Sequence, residues 1–362
     1  MNVDAGAAPL KGIRVLDLTR LLPGPVATMR LADMGAEVIK IEDPGPGDYA
    51  RAMGPVRAQV SQFFVAVNRG KQFLRLDLKD AAQRERLLLM AESADVLVES
   101  FRPGVMAKLG LGWDALKLRN PRLVMCAISG YGQDGPFAQL AGHDINYIGY
   151  AGMLAENCGP DGVPALPNLQ VGDLLGGAQS ALQGILAALL AVKMGGPGRF
   201  VDISMSDAVL AHNIMPLVAV NNGGEAAPGR DLLSGGVPCY QVYRTADGRF
   251  MAVGALELKF WQVCCEVLER PDLTTRHWQL GQAVGGADAL AVQAELDAIF
   301  VQKTLAQWTS AFAARDCCVT PILSSAEALR HPLFEARAMV TRESHPTEGL
   351  HWAVAHPIKF RL

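Results

Sequence analysis

The sequence predicts an α/β fold built on a parallel sheet. Three observations indicate it: short apolar runs alternate with helix-spaced segments in the first third of the chain, half of the 362 residues are hydrophobic, and only 19% are charged. Parallel strands joined by helical crossovers produce this alternation. The length suits two domains, and the composition suits a large buried core.

The first third contains the segments expected to form the sheet. The turn Pro23-Gly24-Pro25 suits a helix start, because proline is favourable at the first helical position. The turn contains no G-x-G-x-x-G, so we predict no dinucleotide site there. The predicted strands are Ile13–Leu18, Val38–Ile41, Phe73–Asp77, Asp95–Val98 and Leu123–Ile128, and the predicted helices are Val26–Met34 and Ala81–Ser93.

A long apolar helix is predicted over Leu174–Val192. It contains polar Gln179 and Gln183, so we interpret it as a buried core helix rather than a membrane span. A strand over Phe200–Met205 and a helix over Ser206–Val220 are expected to follow.

The Gly-, Pro- and Ala-rich stretch Asn221–Gly229 is the predicted domain boundary. Beyond it, strands at Tyr240–Arg244 and Phe250–Val253 flank a turn, and helices continue to about Arg315. The last part of the chain shows little internal structure and is expected to return to the first domain. We therefore predict a large domain of residues 1–222 and 325–362 and a small domain of residues 223–324.

Charge and cysteine usage exclude several classes of protein. The net charge of −3 is spread without basic blocks, so we expect no nucleic-acid partner and no membrane-binding patch. None of the seven cysteines lies in a C-x-x-C spacing, which favours buried reduced thiols over disulfides or a metal site. The segment Met1–Pro9 lacks the pattern of a signal peptide, so we expect a soluble cytoplasmic protein.

Two Gly-rich segments carry candidate catalytic groups. His143 lies in the run Ala141–Tyr147, and Asp173 lies in the run Val171–Gly177. Both side chains can move a proton, and catalytic groups are often held on loops fixed by a rigid scaffold. Each also has a structural interpretation: a hydrogen-bonded loop histidine, and a helix N-cap for Asp173. An N-terminal position would stabilise the ionised carboxylate through the helix dipole.

Two further sets of charged residues have ordinary structural explanations when taken alone. Glu257 begins a probable helix, where an acidic residue is common. Five cations flank strands of the α/β region, where ligands bind in open sheets, and together they suit an anionic ligand bearing phosphates. They are Lys40, Arg75, Lys79, Arg102 and Lys108.

Motifs along nearly the whole chain resemble the class III CoA-transferase (CaiB/BaiF) superfamily. Within it, the run Gly142–Tyr147 (Gly-His-Asp-Ile-Asn-Tyr) is similar to the α-methylacyl-CoA racemase branch. Asp43 departs from this pattern, since some racemases have a basic residue there near a CoA phosphate. The runs that carry the resemblance are 10–18, 31–42, 99–104, 129–133, 141–147, 172–177 and 316–321.

The resemblance implies a Rossmann-like large domain with a parallel sheet, built from both chain ends, and a smaller α+β domain. It also implies an interlocked homodimer. CoA would bind on the large domain as part of the substrate, with no metal and no other cofactor. By similarity, the CoA contacts fall on Lys40, Arg75, Leu76, Asp77, Leu78, Lys79, Ser100, Phe101, Arg102, Lys108, Gly142, Asp144, Ile145, Asn146 and Tyr147.

The branch decides the expected chemistry. Racemases of this kind use a histidine and an aspartate, matching His143 and Asp173, as opposed acid and base, with Glu257 as partner of the histidine. A backbone N–H of the helix at Asp173 is the expected donor to the enolate oxygen. This predicts racemisation of 2-methylacyl-CoA thioesters. Transferases of the superfamily instead use the matching aspartate as a nucleophile, and a CoA-thioester binding protein without turnover is a third interpretation.

Overall fold

The structure is a computed structural model that describes residues 8–57, 59–159, 162–345 and 349–360. Its strands are β1 (Arg14–Leu18), β2 (Glu37–Glu42), β3 (Val56–Arg57), β4 (Val60–Ser61), β5 (Gln72–Arg75), β6 (Val96–Glu99), β7 (Val124–Ser129), β8 (Arg199–Ser204), β9 (Tyr240–Arg244), β10 (Phe250–Gly254), β11 (Val319–Pro321), β12 (Val340–His345) and β13 (Gly349–Val354).

The α-helices are α1 (Pro23–Asp33), α2 (Gln62–Asn68), α3 (Ala81–Glu92), α4 (Val105–Lys108), α5 (Trp113–Arg119), α6 (Asp144–Tyr150), α7 (Met153–Glu156), α8 (Ser180–Lys193), α9 (Met205–His212), α10 (Ile214–Asn221), α11 (Leu258–Val267), α12 (Ala287–Phe300), α13 (Leu305–Phe312), α14 (Ser325–Ala328) and α15 (Pro332–Ala336). A π-helix covers Gly172–Gln179, and 3-10 helices cover Tyr49–Ala52, Pro271–Thr275 and Trp278–Leu280.

A parallel sheet of six strands forms the centre of the first unit. Its order is β5-β2-β1-β6-β7-β8, and each neighbouring pair is parallel, which confirms the predicted sheet. The chain leaves β1 towards β2 on one side and later enters β6 on the other. Ligands of open α/β sheets bind where the strand order reverses in this way, beside the carboxyl ends of the strands.

The long apolar helix packs on this sheet. The helical run Gly172–Lys193 is long and apolar enough to cross a membrane, with a mean hydropathy of 1.5 over its most apolar part. Half of that part is buried inside the protein, as expected for a core helix. Ala181, Ile185 and Leu189 lie in one core with Val124 and Cys126 of β7. Burial against the sheet accounts for the apolar character of this helix.

The chain divides into two compact units. The first comprises Met1–Leu154, Leu166–Ile214 and Leu333–Leu362, and the second comprises Ala155–Ala165 and Met215–Pro332. In the second unit, the antiparallel sheet β11-β10-β9 and its helices enclose a core in which Tyr243 stacks on Phe300 at 4.9 Å between ring centroids.

The unit boundaries differ from the predicted ones. Residues 155–165, 215–222 and 325–332 fall in the second unit, although we had placed them in the large domain. The predicted helix Ser206–Val220 is also wrong as a single element, because it breaks at Asn213 into α9 and α10. The predicted boundary rested on amino-acid composition, which indicates flexible stretches of chain. The unit boundaries depend instead on which of the two cores each segment packs against.

The end of the chain has more structure than predicted. Strands β12 and β13 pair as an antiparallel hairpin in register from Val340 opposite Val354. The expectation of little internal structure in the last thirty or so residues was therefore wrong, while residues 333–362 do lie in the first unit.

Candidate active site

A cavity of about 670 Å³ opens at the carboxyl ends of β1, β6 and β7. This is the point where the strand order reverses, and the volume is in the range of small-molecule sites. Every described residue that lines it belongs to the first unit. The lining residues are Arg20, Leu21, Pro23, Tyr49, Ser100, Phe101, Arg102, Pro103, Ile128, Ser129, Gly130, Ala138, Leu140, Ala141, Gly142, His143, Asn146, Tyr147, Asp173 and Met205.

His143 enters this cavity from the N-terminus of α6. It is the N-cap residue, with an extended backbone, and its N–H donates to Asn146 Oδ1 at 3.0 Å. Tyr147 Oη donates to the carbonyl of Gly142 at 2.5 Å, which holds the preceding residue. A Cβ on Gly142 would lie 2.7 Å from the Tyr147 ring, so only glycine fits this turn. The backbone around His143 is thus fixed, while the residue itself is exposed.

Asp173 lies one residue into the π-helix, half-buried and facing the same cavity. Its own N–H donates to Asp144 Oδ1 at 2.9 Å. Burial, and secondarily the negative charge of Asp144, raise the pKa of Asp173 to about 7. A carboxyl with this pKa can both give and take a proton near neutral pH.

Two expectations about Asp173 were wrong. It is not the N-cap: that residue is Val171, which makes no side-chain capping hydrogen bond. The helix dipole does not keep its pKa low, because burial dominates. The nearby backbone N–H groups are also occupied: that of Asp173 by Asp144, and that of Leu174 by the carbonyl of Gln170. They are not free donors for an enolate.

A side-chain hydroxyl offers a replacement donor. Ser129 ends β7, lines the cavity and is 8% exposed. Its Oγ has no hydrogen-bond partner among the residues that the structure describes. Buried hydroxyl groups are normally paired, so an unpaired one in a cavity wall suits a ligand.

Glycines set the path of the helix that carries Asp173. A Cβ on Gly176 would lie 2.7 Å from the Met205 carbonyl oxygen, and one on Gly177 would lie 2.6 Å from Pro23 Cβ. The π-helix therefore packs directly against the first residues of α9 and α1. This close approach brings Asp173 to the cavity wall, and π-helical turns are often found at functional sites.

A buried ionic network supports the loop after β1. Lys40 pairs with Asp48 at 2.9 Å and donates to the Thr19 carbonyl, while Lys71 pairs with Asp17 at 2.9 Å. Burial by itself raises the pKa of Asp17, but Lys40, Lys71 and two threonine hydroxyls outweigh it and lower that pKa. Asp48 also accepts from the N–H of Leu21, which has a φ of +67°.

Lys40 is therefore a correction to the predicted CoA contacts. Its side chain is fully buried and already holds an anion and a carbonyl. A charge buried in this way is committed to its partners and does not reach a solvated phosphate.

Comparisons with known proteins point to one enzyme family. The model of CoA-transferase family III matches residues 10–362. Human alpha-methylacyl-CoA racemase is 36% identical over 324 residues, covering 89% of this chain and 80% of that protein. Mouse succinyl-CoA:glutarate CoA-transferase is 32% identical over 344 residues, covering 94% and 78%. The crystal structure of Rv3272 from Mycobacterium tuberculosis matches with a TM-score of 0.83 and 30% identity over 98% of this chain and 94% of that one.

The chain belongs to CoA-transferase family III. This confirms the family resemblance and the mixed α/β fold with a large parallel sheet. A racemase and a transferase of the family are both similar to this chain at comparable identity. Membership therefore establishes an enzyme family, and the choice between the two reactions has to be argued from the residues of the site.

The family-based CoA contacts fall into two groups. Ser100, Phe101, Arg102, Gly142, Asn146 and Tyr147 line the cavity. The other predicted contacts do not line it. The Leu76 side chain is buried in the core, at 1% exposed, and Arg75 donates to the carbonyls of Pro44 and Gly45. Asp144 accepts the N–H of Asp173 in the first turn of the π-helix. Asp77, Leu78, Lys79, Lys108 and Ile145 also lie outside the cavity lining.

Glu257 lies in the second unit. It is the exposed N-cap of α11, and its side chain makes no capping hydrogen bond. Glu257 therefore precedes the first residue of α11, whereas we predicted that it would lie within the first helical turn.

Several lining residues were missed from the sequence. Arg20 lies two residues after the end of β1, and its place after a predicted strand was a signal that the sequence offered. No sequence pattern indicated Tyr49 or Met205. The 3-10 helix places Tyr49 at the cavity, and the close contact between Gly176 and Met205 places Met205 there, and both depend on the folded chain.

Proposed function

We propose that this protein racemises the α-carbon of 2-methylacyl-CoA thioesters, with His143 and Asp173 as the two acid–base groups. The observation that carries the proposal is that both residues line one cavity at the sheet's switch point, and that the pKa of Asp173 is about 7 there. A thioester acidifies its α-hydrogen, so a base of moderate strength can remove it.

The reaction needs one base and one acid on opposite faces of the α-carbon. Either residue removes the proton, and the other returns one to the opposite face of the enolate. Both directions run only if each group can take and return a proton near neutral pH, and the raised pKa of Asp173, about 7, suits that exchange. The Ser129 hydroxyl is the proposed donor to the enolate oxygen. CoA enters as part of the substrate, and no metal or redox cofactor has a step.

Proton NMR in D₂O tests the proposal directly. Separate (R)- and (S)-2-methylacyl-CoA samples, without an acceptor acid, should each lose the α-proton signal and converge on a mixture of both forms. We expect His143→Ala and Asp173→Asn to reduce the exchange rate by at least about 100-fold. His212→Ala and Asp114→Asn, which change groups outside the cavity, are the matched controls.

Absence of exchange with tight thioester binding would contradict the racemase proposal. The second candidate is then CoA transfer between carboxylic acids, with the Asp173 carboxylate attacking the thioester and His143 positioning CoA. Its support is the cavity-facing carboxylate of Asp173 and the similarity to succinyl-CoA:glutarate CoA-transferase. A covalent adduct on the Asp173 peptide, seen by mass spectrometry after mixing with acyl-CoA, would identify it.

A further inference from the structure

Glu99 is a buried carboxyl that the proposed reaction does not use. It is the last residue of β6, at the edge of the sheet where the cavity opens, and it is 3% exposed. Its Oε2 accepts the N–H of Phe101 at 2.7 Å. Within the described part of the chain, no cation pairs with it. Glutamate is rarely buried this completely without a paired cation, so its place beside the cavity points to a role beyond packing.

The hydrogen bond to Glu99 anchors a loop of the cavity wall. Residues 100–103 all line the cavity, whereas Glu99 lies outside the lining. A second hydrogen bond holds the start of this loop, from the N–H of Arg20 to Ser100 Oγ at 3.2 Å. The bond from Phe101 is shorter, and its acceptor can carry a charge. Hydrogen bonds to an ionised acceptor are about twice as strong as neutral ones, so the charge of Glu99 sets how firmly the loop is held.

The charge of Glu99 changes near neutral pH. Burial raises its pKa to about 7 against the lowering effect of the Phe101 N–H, and the carboxylate of Asp202 adds to the rise. Glu99 pairs in register with Ala127, and Ala127 pairs with Asp202, so both carboxyls lie on one face of the sheet. Both charge states of Glu99 are therefore populated near neutral pH.

Among the described residues, the elements around Glu99 supply no cation that would hold it ionised. On β1, Asp17 is itself paired with Lys71. On β7, burial and the charges of Glu99 and Asp202 hold the pKa of the Cys126 thiol well above its usual range, so this thiol stays neutral. The remaining charged groups around this part of the sheet are Asp134 and Asp207, which act on Asp202, and the exposed Lys108, Asp114, Lys117 and Arg119 of α4 and α5.

We propose that Glu99 is a positioning residue whose ionised carboxyl holds the loop 100–103 in the form that binds a CoA thioester, so that protonation of Glu99 weakens binding. This inference rests on the proposed function only in taking a CoA thioester as the ligand of the cavity. Protonation leaves the Phe101 N–H a neutral acceptor, and ordering the loosened loop then costs part of the binding free energy. Binding favours the ionised form, so uptake of the thioester should release a proton from Glu99 near neutral pH.

Calorimetry with 2-methylbutyryl-CoA at about pH 6 and about pH 8.5 tests this linkage. The host protein carries His143→Ala and Asp173→Asn, which removes both proposed acid–base groups and any turnover. Added to it are Glu99→Gln, which keeps a neutral acceptor for the loop, Asp202→Asn, and the control Glu225→Gln at an exposed glutamate outside the cavity lining. The ratio of two Kd values at one pH cancels the titration of the ligand's own phosphate groups.

We expect Glu99→Gln to raise the Kd about 3- to 10-fold at the higher pH, where Glu99 of the host is ionised, and clearly less at the lower pH. For Glu225→Gln, the Kd should equal that of the host at both pH values. Asp202→Asn should move the weakening of binding to lower pH, because it removes a charge that raises the pKa of Glu99. The Tm should respond in the opposite sense: Glu99→Gln should raise it most at the higher pH, since burial disfavours the ionised carboxyl.

Two results would overturn the proposal. Equal Kd values for the host and Glu99→Gln at both pH values would show that the charge of Glu99 does not act on the cavity. An equal loss of affinity at both pH values would show that Glu99 acts through its packing and not through its ionisation.

The binding readout separates this proposal from the proposed function, because the host lacks both proposed acid–base groups. A pH-dependent effect of Glu99→Gln on the Kd, with no α-proton exchange by the wild type, would support the role of Glu99 and reject racemisation. Exchange by the wild type, with equal Kd values for the host and Glu99→Gln, would support racemisation and reject the role of Glu99.

Discussion

At the scale of single residues, the proton affinity of Asp173 is the property most relevant to the proposed chemistry. Burial sets most of it, and the carboxylate of Asp144 adds to it while accepting the Asp173 N–H. The same side chain therefore caps the helix and tunes the candidate acid–base group. Asp144 has this effect from outside the cavity lining.

Asp144→Asn should shift the pH dependence of exchange. An asparagine Oδ1 can still accept the Asp173 N–H, but the negative charge that raises the pKa of Asp173 is removed. We expect that pKa to fall from about 7 while remaining raised, because burial is the larger cause. The limb of the kcat/KM profile that reports Asp173 should move to lower pH. An unchanged limb would show that Asp144 does not influence Asp173.

At the scale of elements, glycines allow the helix with Asp173 to pack closely on its neighbours. The Met205 carbonyl and Pro23 occupy the space that side chains at Gly176 and Gly177 would fill. Beneath the neighbouring loop, the buried ions Lys40, Asp48 and Asp17 hold the turn that contains Leu21. The cavity wall is thus positioned by packing and by buried charge together.

Alanine substitutions at two helical glycines should have opposite effects. Gly176→Ala places a Cβ 2.7 Å from a backbone oxygen, so we expect a loss of about 1–3 kcal/mol in the free energy of unfolding. Gly149 in α6 has open space around its Cβ position, and Gly149→Ala should gain about 0.5–1 kcal/mol from helix propensity. Urea denaturation measures both, and a stable Gly176→Ala protein would contradict the packing described here.

At the scale of the whole molecule, two units each have their own core. In the second unit, the part of α10 that follows Ile214 has no buried residue and exposes Leu217, Val218 and Val220, each at 47% or more. Exposed apolar surface of this kind marks interaction sites. It supports the prediction of a homodimer, which no contact within a single chain tests.

Sedimentation velocity at micromolar concentration should therefore show a dimer. The Tm of the protein, measured by thermal unfolding, should rise with protein concentration. Leu217→Gln on α10 should weaken the dimer. Leu118→Gln on α5, at a leucine that is 81% exposed, is the control that should not. A monomer with a concentration-independent Tm would contradict the prediction.

Local apolar patterns and contiguous motifs in the sequence predicted the sheet, the long core helix and the family, and they indicated His143 and Asp173, which the structure brings to one cavity. The folded structure was needed to show that Lys40 is buried, that Arg20 lines the cavity and that Asp144 raises the pKa of Asp173. It also decided the break at Asn213 and the unit boundaries. These features depend on contacts between segments far apart in the chain, and burial, on which charge and pKa depend, is a property of the packed fold.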